Sequence, residues 1–288
     1  MTQPTLVTGA SGNTGRRIIS ALTARGAKVR AFIRRNEARD LLVPLGVEDF
    51  AIGNLEDDTS LAAALQGCGQ VLHICPPMHP QEDVIARRMT DLCADTRVNR
   101  LILWSVLHPV IGVPHHRRKL DAEQYLIESG LTYTILQPSR YMQHLAGTWK
   151  SIAETGVHTM PFSTSARFSL ADLEDLAEAA AIVATSPGHE FATYQLAGMD
   201  ALSQEDCARI LTGLLGKPVE ARKRPLEDFL AQTTAAGMPQ HRLDNMRIMN
   251  EHYDAHGLIG NGQLLQWLLG RKPNTFAQYV TREMLVQK

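Results

Sequence analysis

The sequence predicts an α/β protein, with a doubly wound parallel sheet followed by a smaller, mainly helical C-terminal lobe. In the first half, short apolar strand-like segments alternate with helical segments roughly every 25 residues, which is typical of parallel strands joined by helical crossovers. After about Pro138 this alternation stops and helical periodicity dominates. We therefore expect a sheet domain over residues 1–150, with a strand returning to it near 191–197, and a smaller substrate or partner lobe over 151–288.

The elements of the first half follow from apolar runs and from the residues that end them. Buried strands are predicted at 5–8, 28–33, 47–52, 71–75, 101–105 and 133–137. Helices are predicted between them at 14–25, 37–45, 60–65, 82–96 and 117–129. Gly26 is suited to end the first helix. Pro76 and Pro77 stop the fourth strand, because proline cannot donate to a sheet ladder.

The second half is predicted to contain few strands. Helices are expected at 144–154, 171–185 and 203–215, with one strand at 194–196. From Pro218 onward the pattern is mostly helical and indicates no strong strand. The acidic stretch 172–178 is interpreted as the solvated face of an amphipathic helix.

Composition and charge are those of an ordinary globular protein. Apolar residues make up 44% and charged residues 20%, and 29 basic side chains balance 30 acidic ones, which argues against direct nucleic-acid binding. The N-terminus lacks a secretory pattern, and no segment approaches the roughly 20 apolar residues of a membrane span. The four cysteines show no metal-type spacing, so we expect reduced thiols, a cytoplasmic location and no metal. A homodimer is an open alternative.

A glycine-rich loop near the N-terminus predicts a dinucleotide site. Residues 8–15 read TGASGNTG, directly between the first strand and the first helix. Glycines in such a loop permit a tight turn, a close approach of the backbone to a pyrophosphate and close packing of helix on strand. The helix N-terminus then offers free N–H groups to the phosphates. The expected contacts come from the following loop residues: Gly9, Ser11, Gly12, Asn13, Thr14 and Gly15.

The end of the second strand favours NADP(H) over NAD(H). An acidic residue at this point accepts the ribose hydroxyls of NAD, whereas an arginine pairs with the additional 2′-phosphate of NADP. This chain has Arg34 and Arg35 there, with no acid before Glu37. A guanidinium group matches a phosphate in geometry and charge, so both arginines are predicted to bind the cofactor. At the end of the fourth strand, Cys75 with the two prolines that follow is expected to pass close to the cofactor ribose and nicotinamide.

Several segments together resemble the NmrA-like family of atypical short-chain dehydrogenases. In the first half these are TGASGNTG, VRAFIRR, GNLEDDTSLAAALQG and LHICPP. In the second half they are TYTILQPSRYMQHL, RFSLADLEDLAEAA and YQLAGMDALSQED. The resemblance covers nearly the whole chain. It implies a Rossmann lobe that binds NADP(H), a small C-terminal lobe, and a position for Asn54 and Leu55 facing the adenine.

Short-chain dehydrogenases commonly use a serine and a Tyr-x-x-x-Lys pair, and here the matching segment reads HHRRK. The resemblance places Lys119 in the lysine position as a ligand of the nicotinamide ribose, His115 in the tyrosine position and Ser105 in the serine position. A histidine titrates near neutral pH and could donate a proton after hydride transfer. Pro138 and Tyr141, after the sixth strand, are expected beside the nicotinamide, with Tyr141 as a second candidate for the catalytic hydroxyl.

Three functions are compatible with this pattern. The first is an NADPH-dependent reductase of a small carbonyl, quinone or conjugated substrate, with the protein positioning the cofactor that carries the hydride. The second is a non-catalytic NADP(H) redox sensor that regulates a partner protein. The third is a lyase or retro-aldol-type enzyme on the same fold that uses a histidine base. The fold alone does not choose between them.

Overall fold

The computed structural model describes residues 3–286. Along these residues the chain forms the strands β1 (Thr5–Val7), β2 (Val29–Ile33), β3 (Asp49–Ile52), β4 (Gln70–His73), β5 (Arg100–Trp104), β6 (Tyr133–Pro138), β7 (Val157–Met160), β8 (Phe168–Ser169), β9 (Ala192–Leu196), β10 (Ala201–Leu202) and β11 (Glu220–Lys223).

The helices alternate with these strands in the first half and predominate in the second. They are α1 (Asn13–Ala24), α2 (Asp58–Leu65), α3 (Glu82–Asp95), α4 (Pro114–Glu128), α5 (Trp149–Thr155), α6 (Leu173–Thr185), α7 (Gln204–Leu215), α8 (Leu226–Ala235), α9 (Gln240–His256), α10 (Gln263–Leu269) and α11 (Phe276–Val280). Shorter 3-10 helices span Asn36–Leu41, Val43–Leu45 and Met142–Gly147, and a π-helical turn spans Thr281–Leu285.

Seven strands build the main sheet in the order β3-β2-β1-β4-β5-β6-β9. From β3 to β6 each neighbouring pair is parallel. The strand order reverses between β1 and β4, and in open sheets of this type ligands bind outside the carboxyl ends of the strands at that reversal. This confirms the doubly wound parallel sheet that the alternating pattern predicts.

Two compact units share the chain. Within the described residues, the first contains 3–110, His116–Pro138 and Leu176–Tyr194, and the second contains Ile111–His115, Ser139–Asp175 and 195–286. In the first unit, one face of the sheet packs on α2, α3 and α4 through a core that includes Leu6, Leu61, Val71, Met89, Leu101 and Ile135. Each of these side chains is at most 1% exposed, so the apolar residues of the strands lie in a buried core, as expected for a parallel sheet.

The second unit has its own core, in which α7 and α11 pack against residues that follow β6. Its buried members include Met142, Ile152, Leu211, Phe276 and Tyr279. Short two-stranded sheets, β7 with β11 and β8 with β10, complete this unit. No helix formed by residues 3–286 has both the length and the apolar character that a membrane span requires.

Three local expectations are wrong. The segment predicted as one helix over 37–45 forms two short 3-10 helices, because Pro44 cannot continue a hydrogen-bonded helix. The stretch after Pro218 contains β11, whose sequence EARK carries no apolar alternation and is held by parallel pairing with β7. The acidic stretch 172–178 is not a solvated face: Asp172 and Asp175 are buried and pair with Arg282 and Arg271.

Candidate active site

The glycine loop lies between β1 and α1, at the reversal of the sheet. Gly9 adopts a φ of +61°, and a Cβ atom built there would lie 2.9 Å from the carbonyl oxygen of Ile74. A Cβ on Gly15 would lie 2.2 Å from the carbonyl oxygen of Gly9. Both positions therefore exclude any side chain. The loop backbone can approach a ligand without a side chain standing in between.

The N-terminus of α1 has features of an anion site. Gly12 precedes the helix and supplies no side-chain cap, and the first turn contains no acidic residue. The N–H groups of Asn13, Thr14 and Gly15 thus begin the helix without the oxygen that a serine or aspartate cap would provide. Ser11 adds a hydroxyl beside them. Free N–H groups and the positive end of the helix dipole fit the pyrophosphate of a dinucleotide.

Two arginines follow β2, the strand that pairs with β1. The side chains of Arg34 and Arg35 are exposed. Within residues 3–286 neither guanidinium group forms a hydrogen bond or an ion pair. Two guanidinium groups that the described chain leaves unpaired, next to a phosphate-binding loop, fit a cofactor with a third phosphate.

The predicted adenine contacts follow β3. Asn54 is exposed, and its Oδ1 accepts a hydrogen bond of 3.3 Å from the backbone N–H of Glu56. Its own backbone N–H donates to the hydroxyl of Ser60 at 3.2 Å. Leu55 packs against the core of the first unit. The turn after β3 is therefore fixed by its own hydrogen bonds, with the Asn54 side chain directed to solvent.

The carboxyl ends of β1 and β4 are tied together by Thr8. Its hydroxyl donates to the carbonyl oxygen of Ile74 at 3.1 Å, accepts from the Ile74 N–H at 2.8 Å and lies 2.9 Å from Nδ1 of His73. His73 is fully buried. Burial, reinforced by the nearby Lys119 cation, lowers the pKa of His73 to about 3, and Glu82 opposes this shift only in part. His73 is therefore a neutral imidazole that fixes this corner of the sheet.

The segment after His73 continues the predicted cofactor face. Cys75 is buried, and this burial raises the pKa of its thiol far above the ordinary range, so the sulfur is a neutral, apolar group. Pro76 and Pro77 are exposed and end the strand as predicted. The segment thus offers a rigid, uncharged surface.

Lys119, on α4, is held in a buried ion pair. Its ammonium group lies 2.6 Å from the carboxylate of Glu82, at the start of α3, and donates to the carbonyl oxygen of Trp104 at 2.8 Å. The two side chains are only 7% and 2% exposed. The carboxylate and the carbonyl fix the ammonium group at the carboxyl end of β5.

Ser105 belongs to a second buried polar group. Its hydroxyl donates to the carboxylate of Glu123, and the amide of Gln137 donates to both oxygens of that carboxylate, at 2.8 and 3.1 Å. All three side chains are at most 5% exposed. Burial raises the pKa of Glu123, although the hydrogen bonds from Ser105 and Gln137 and the Lys119 cation oppose the shift.

The two proposed proton donors lie on different elements. His115 is half-buried and is the second residue of α4, one helical turn before Lys119. Tyr141 follows β6 and, like His115, belongs to the second unit; its ring stacks on His144 with the ring centres 5.6 Å apart. Pro138 is buried at the end of β6, and its carbonyl oxygen accepts from the N–H of Leu107 at 2.9 Å.

Sequence reasoning missed both carboxylates. Glu123 stands four residues after Lys119, as His115 stands four before it, so helical spacing alone could have found it. Glu82 looks like an ordinary acidic residue in the first turn of α3, and only the strand order brings it to Lys119. Among residues 3–286 no group of three or more His, Cys, Asp or Glu side chains is arranged to hold a metal ion.

Comparisons with known proteins find relatives that span nearly the whole chain. The chain is 28% identical over 276 residues to an NAD(P)H azoreductase of Xenophilus azovorans, covering 95% of this chain and 96% of that protein. It is 26% identical over 281 residues to quinone oxidoreductase 2 of Escherichia coli, covering 96% of each. The crystal structure of the NADPH-dependent quinone oxidoreductase of Escherichia coli with NADPH aligns with a TM-score of 0.86 at 25% identity, over 96% of this chain and 99% of that one. The model of the NmrA-like family matches residues 1–283, and the chain belongs to that family.

Proposed function

We propose that this protein is an NADPH-dependent reductase of quinones or of similarly conjugated aromatic acceptors. The glycine loop, the uncapped start of α1 and the two unpaired arginines provide the phosphate contacts for the cofactor. Relatives that span nearly the whole chain are an azoreductase and a quinone oxidoreductase, and this likeness supports the substrate class.

The observation that carries the catalytic part of the proposal is the buried Lys119–Glu82 pair beside the Ser105–Glu123 pair. Burying ionised groups opposes folding unless they are paired, and such groups concentrate at functional sites. Here they lie at the carboxyl end of the sheet, where ligands of this fold bind. Binding of the cofactor phosphates alone would not require them.

In the proposed reaction the bound NADPH supplies a hydride, and the chain supplies position and one proton. Reduction of a quinone to a hydroquinone consumes one NADPH and one proton. We assign proton donation to His115, because it stands one helical turn before Lys119 on α4 and its imidazole can serve as a general acid. Lys119 would contact the nicotinamide ribose. The Ser105 hydroxyl, which donates to Glu123 in this structure, would exchange that hydrogen bond for one to the oxygen of the acceptor.

The test is NADPH oxidation, followed by the loss of its near-ultraviolet absorbance, with a panel of quinones and azo dyes. We expect His115→Ala to lower kcat by about 100-fold or more, as is typical for loss of a general acid. The Kd for NADPH should stay within two-fold. His241→Ala is the matched control, since His241 is also the second residue of a helix, α9, and is exposed.

Two results would contradict the proposal. Tight, redox-selective binding of NADP(H) without turnover of any acceptor in the panel would favour the sensor function. Equal rates for the His115→Ala variant and the wild type would remove His115 from the reaction. Tyr141→Phe would then test the second candidate for the proton.

A further inference from the structure

A cavity of about 50 Å³ lies wholly within the second unit. Its walls are mainly apolar, with Phe162, Phe168 and Phe276 among them. A cavity that holds a benzene ring measures roughly 150 Å³, and one water needs about 10–15 Å³. This solvent-open cavity is therefore too small to surround an aromatic ring but large enough for a carboxylate-sized group.

Among residues 3–286, Arg140 is the cation that lines this cavity, two residues after the end of β6. The guanidinium carbon lies 5.1 Å from the ring centre of Phe162 and 5.5 Å from that of Phe168. Within residues 3–286 the guanidinium group makes no hydrogen bond and no ion pair. Aromatic faces attract a cation but leave its five N–H donors unsatisfied.

The other titratable groups around Arg140 carry no negative charge at neutral pH. Burial raises the pKa of the Cys207 thiol to about 12 and also raises the pKa of the Tyr253 hydroxyl. Burial and the Arg140 charge lower the pKa of His158 to about 4. Desolvation by the protein atoms around its ring and the same charge lower the pKa of His144 to about 4, although part of the His144 side chain remains exposed, so both imidazoles are neutral. Within the part of the chain that the structure describes, the lining includes no Asp or Glu. Arginine stays protonated in proteins, so its charge faces this cavity without a counter-ion from the described chain.

A second polar atom at the same cavity also lacks a partner. The amide nitrogen of Gln204 donates to the backbone carbonyls of His158 and Arg222, which fixes the orientation of the amide. Its oxygen, Oε1, is then a buried acceptor without a hydrogen bond, on a side chain only 4% exposed. Buried polar atoms of native proteins are nearly always hydrogen-bonded, so this acceptor indicates a ligand that brings a donor.

We propose that this cavity binds the acidic group of an anionic aromatic substrate, a carboxylate or a sulfonate, with Arg140 as its counter-ion. A substrate that also carries an O–H or N–H group would donate it to Gln204 Oε1 and bind more tightly than one that offers the anion alone. The ring would lie at the Tyr141–His144 stack, where His144 is exposed. This assignment narrows the substrate class of the proposed reductase and in that respect rests on the proposed function.

The decisive measurement is equilibrium binding at constant ionic strength, by calorimetry, of benzoate and of its neutral analogue methyl benzoate to the NADP⁺-loaded protein. We expect the wild type to bind benzoate at least ten-fold more tightly than methyl benzoate. Arg140→Met should abolish this preference, and Arg140→Lys should retain part of it. Arg209→Met is the matched control, because Arg209 is an exposed arginine on α7, the helix that carries Gln204.

Equal affinities of the wild type for the two probes would overturn the proposal, and so would unchanged benzoate binding by Arg140→Met. If Arg140→Met does not fold, the wild-type comparison decides alone. Measurements of turnover distinguish a failure of the anion site from a failure of the proposed reductase function. We expect Arg140→Met to lower kcat/KM at least ten-fold for 1,4-naphthoquinone-2-sulfonate while leaving 1,4-naphthoquinone within two-fold. Benzoate binding without turnover of either quinone would refute the reductase and leave the anion site standing.

Discussion

The buried pair of Lys119 and Glu82 makes a sharp prediction about stability. Glu82→Gln keeps the shape of the side chain but leaves a buried ammonium group without its counter-ion. With side chains 7% and 2% exposed and 2.6 Å between the charged atoms, the pair has little screening from water. Removing one partner of a buried pair typically costs about 3–5 kcal/mol. The neighbouring carboxylate of Glu123 offsets part of this loss, so we expect about 3 kcal/mol.

A loss of that size should be measurable by thermal unfolding. For a protein of this length, about 3 kcal/mol corresponds to a fall in Tm of roughly 6–12 °C. Asp83→Asn is the matched control, because Asp83 is the next residue in the same first turn of α3 and is only half-buried. Its Tm should change by about 1–2 °C at most, as is usual for a surface substitution.

The double variant Glu82→Gln with Lys119→Met separates an unpaired charge from a general loss of packing. Removing both charges should recover much of the stability, because a buried ion pair is often no better than an apolar replacement. A Tm for Glu82→Gln equal to that of Asp83→Asn would refute the assigned pairing. A double variant less stable than either single variant would show that the pair stabilises the fold by more than its charges.

Three further predictions concern the cofactor site. Gly15→Ala should raise the Kd for NADPH at least ten-fold, since its Cβ would meet the Gly9 carbonyl oxygen at 2.2 Å, whereas Gly213→Ala on α7, with nothing within 4 Å, should leave titrated binding unchanged. Arg34→Ala should weaken NADPH binding by roughly 10- to 100-fold, because a charge-assisted hydrogen bond contributes about 1.5–3 kcal/mol, and it should leave NADH binding unaltered. Equal losses of affinity for both cofactors would contradict the assignment of Arg34 to the 2′-phosphate. Burial lowers the pKa of His73 to about 3 in the folded state. The unfolded chain therefore binds a proton at this residue near pH 6.5, where the folded state does not. The free energy of unfolding should therefore fall by about 1.4 kcal/mol per pH unit below pH 6.5, and denaturant titrations of His73→Leu should lack that contribution.

The sheet was predictable because parallel strands that are buried on both faces appear in the sequence as continuous apolar runs. The run VRAFI, at β2, ends at two arginines, and the run before it ends at Gly9; each is followed by a segment with helical periodicity. The small strands of the second unit do not appear as continuous apolar runs. β11 reads EARK, with three of its four residues exposed, and it exists because β7 offers a free edge for backbone hydrogen bonds. The pattern of apolar residues in a sequence reflects side-chain burial. It therefore does not predict a strand that is held only by its backbone hydrogen bonds.

The residues of the candidate site also fall into two groups. Some are recognised from local sequence patterns, and others only from contacts between segments that are distant in the sequence. The glycine loop, Arg34 and the pair of His115 with Lys119 are local patterns, and spacing on one helix would also have extended that pair to Glu123. Glu82 is different, since nothing in its own segment distinguishes it from Asp83. It reaches Lys119 because β4 and β5 are neighbours in the sheet, so that α3, which follows β4, and α4, which follows β5, both start at the carboxyl edge. Once the strand order is known, a search for acidic residues in the first turn of the helix after each central strand would select it, and the same search applies to other chains of this family that lack the tyrosine.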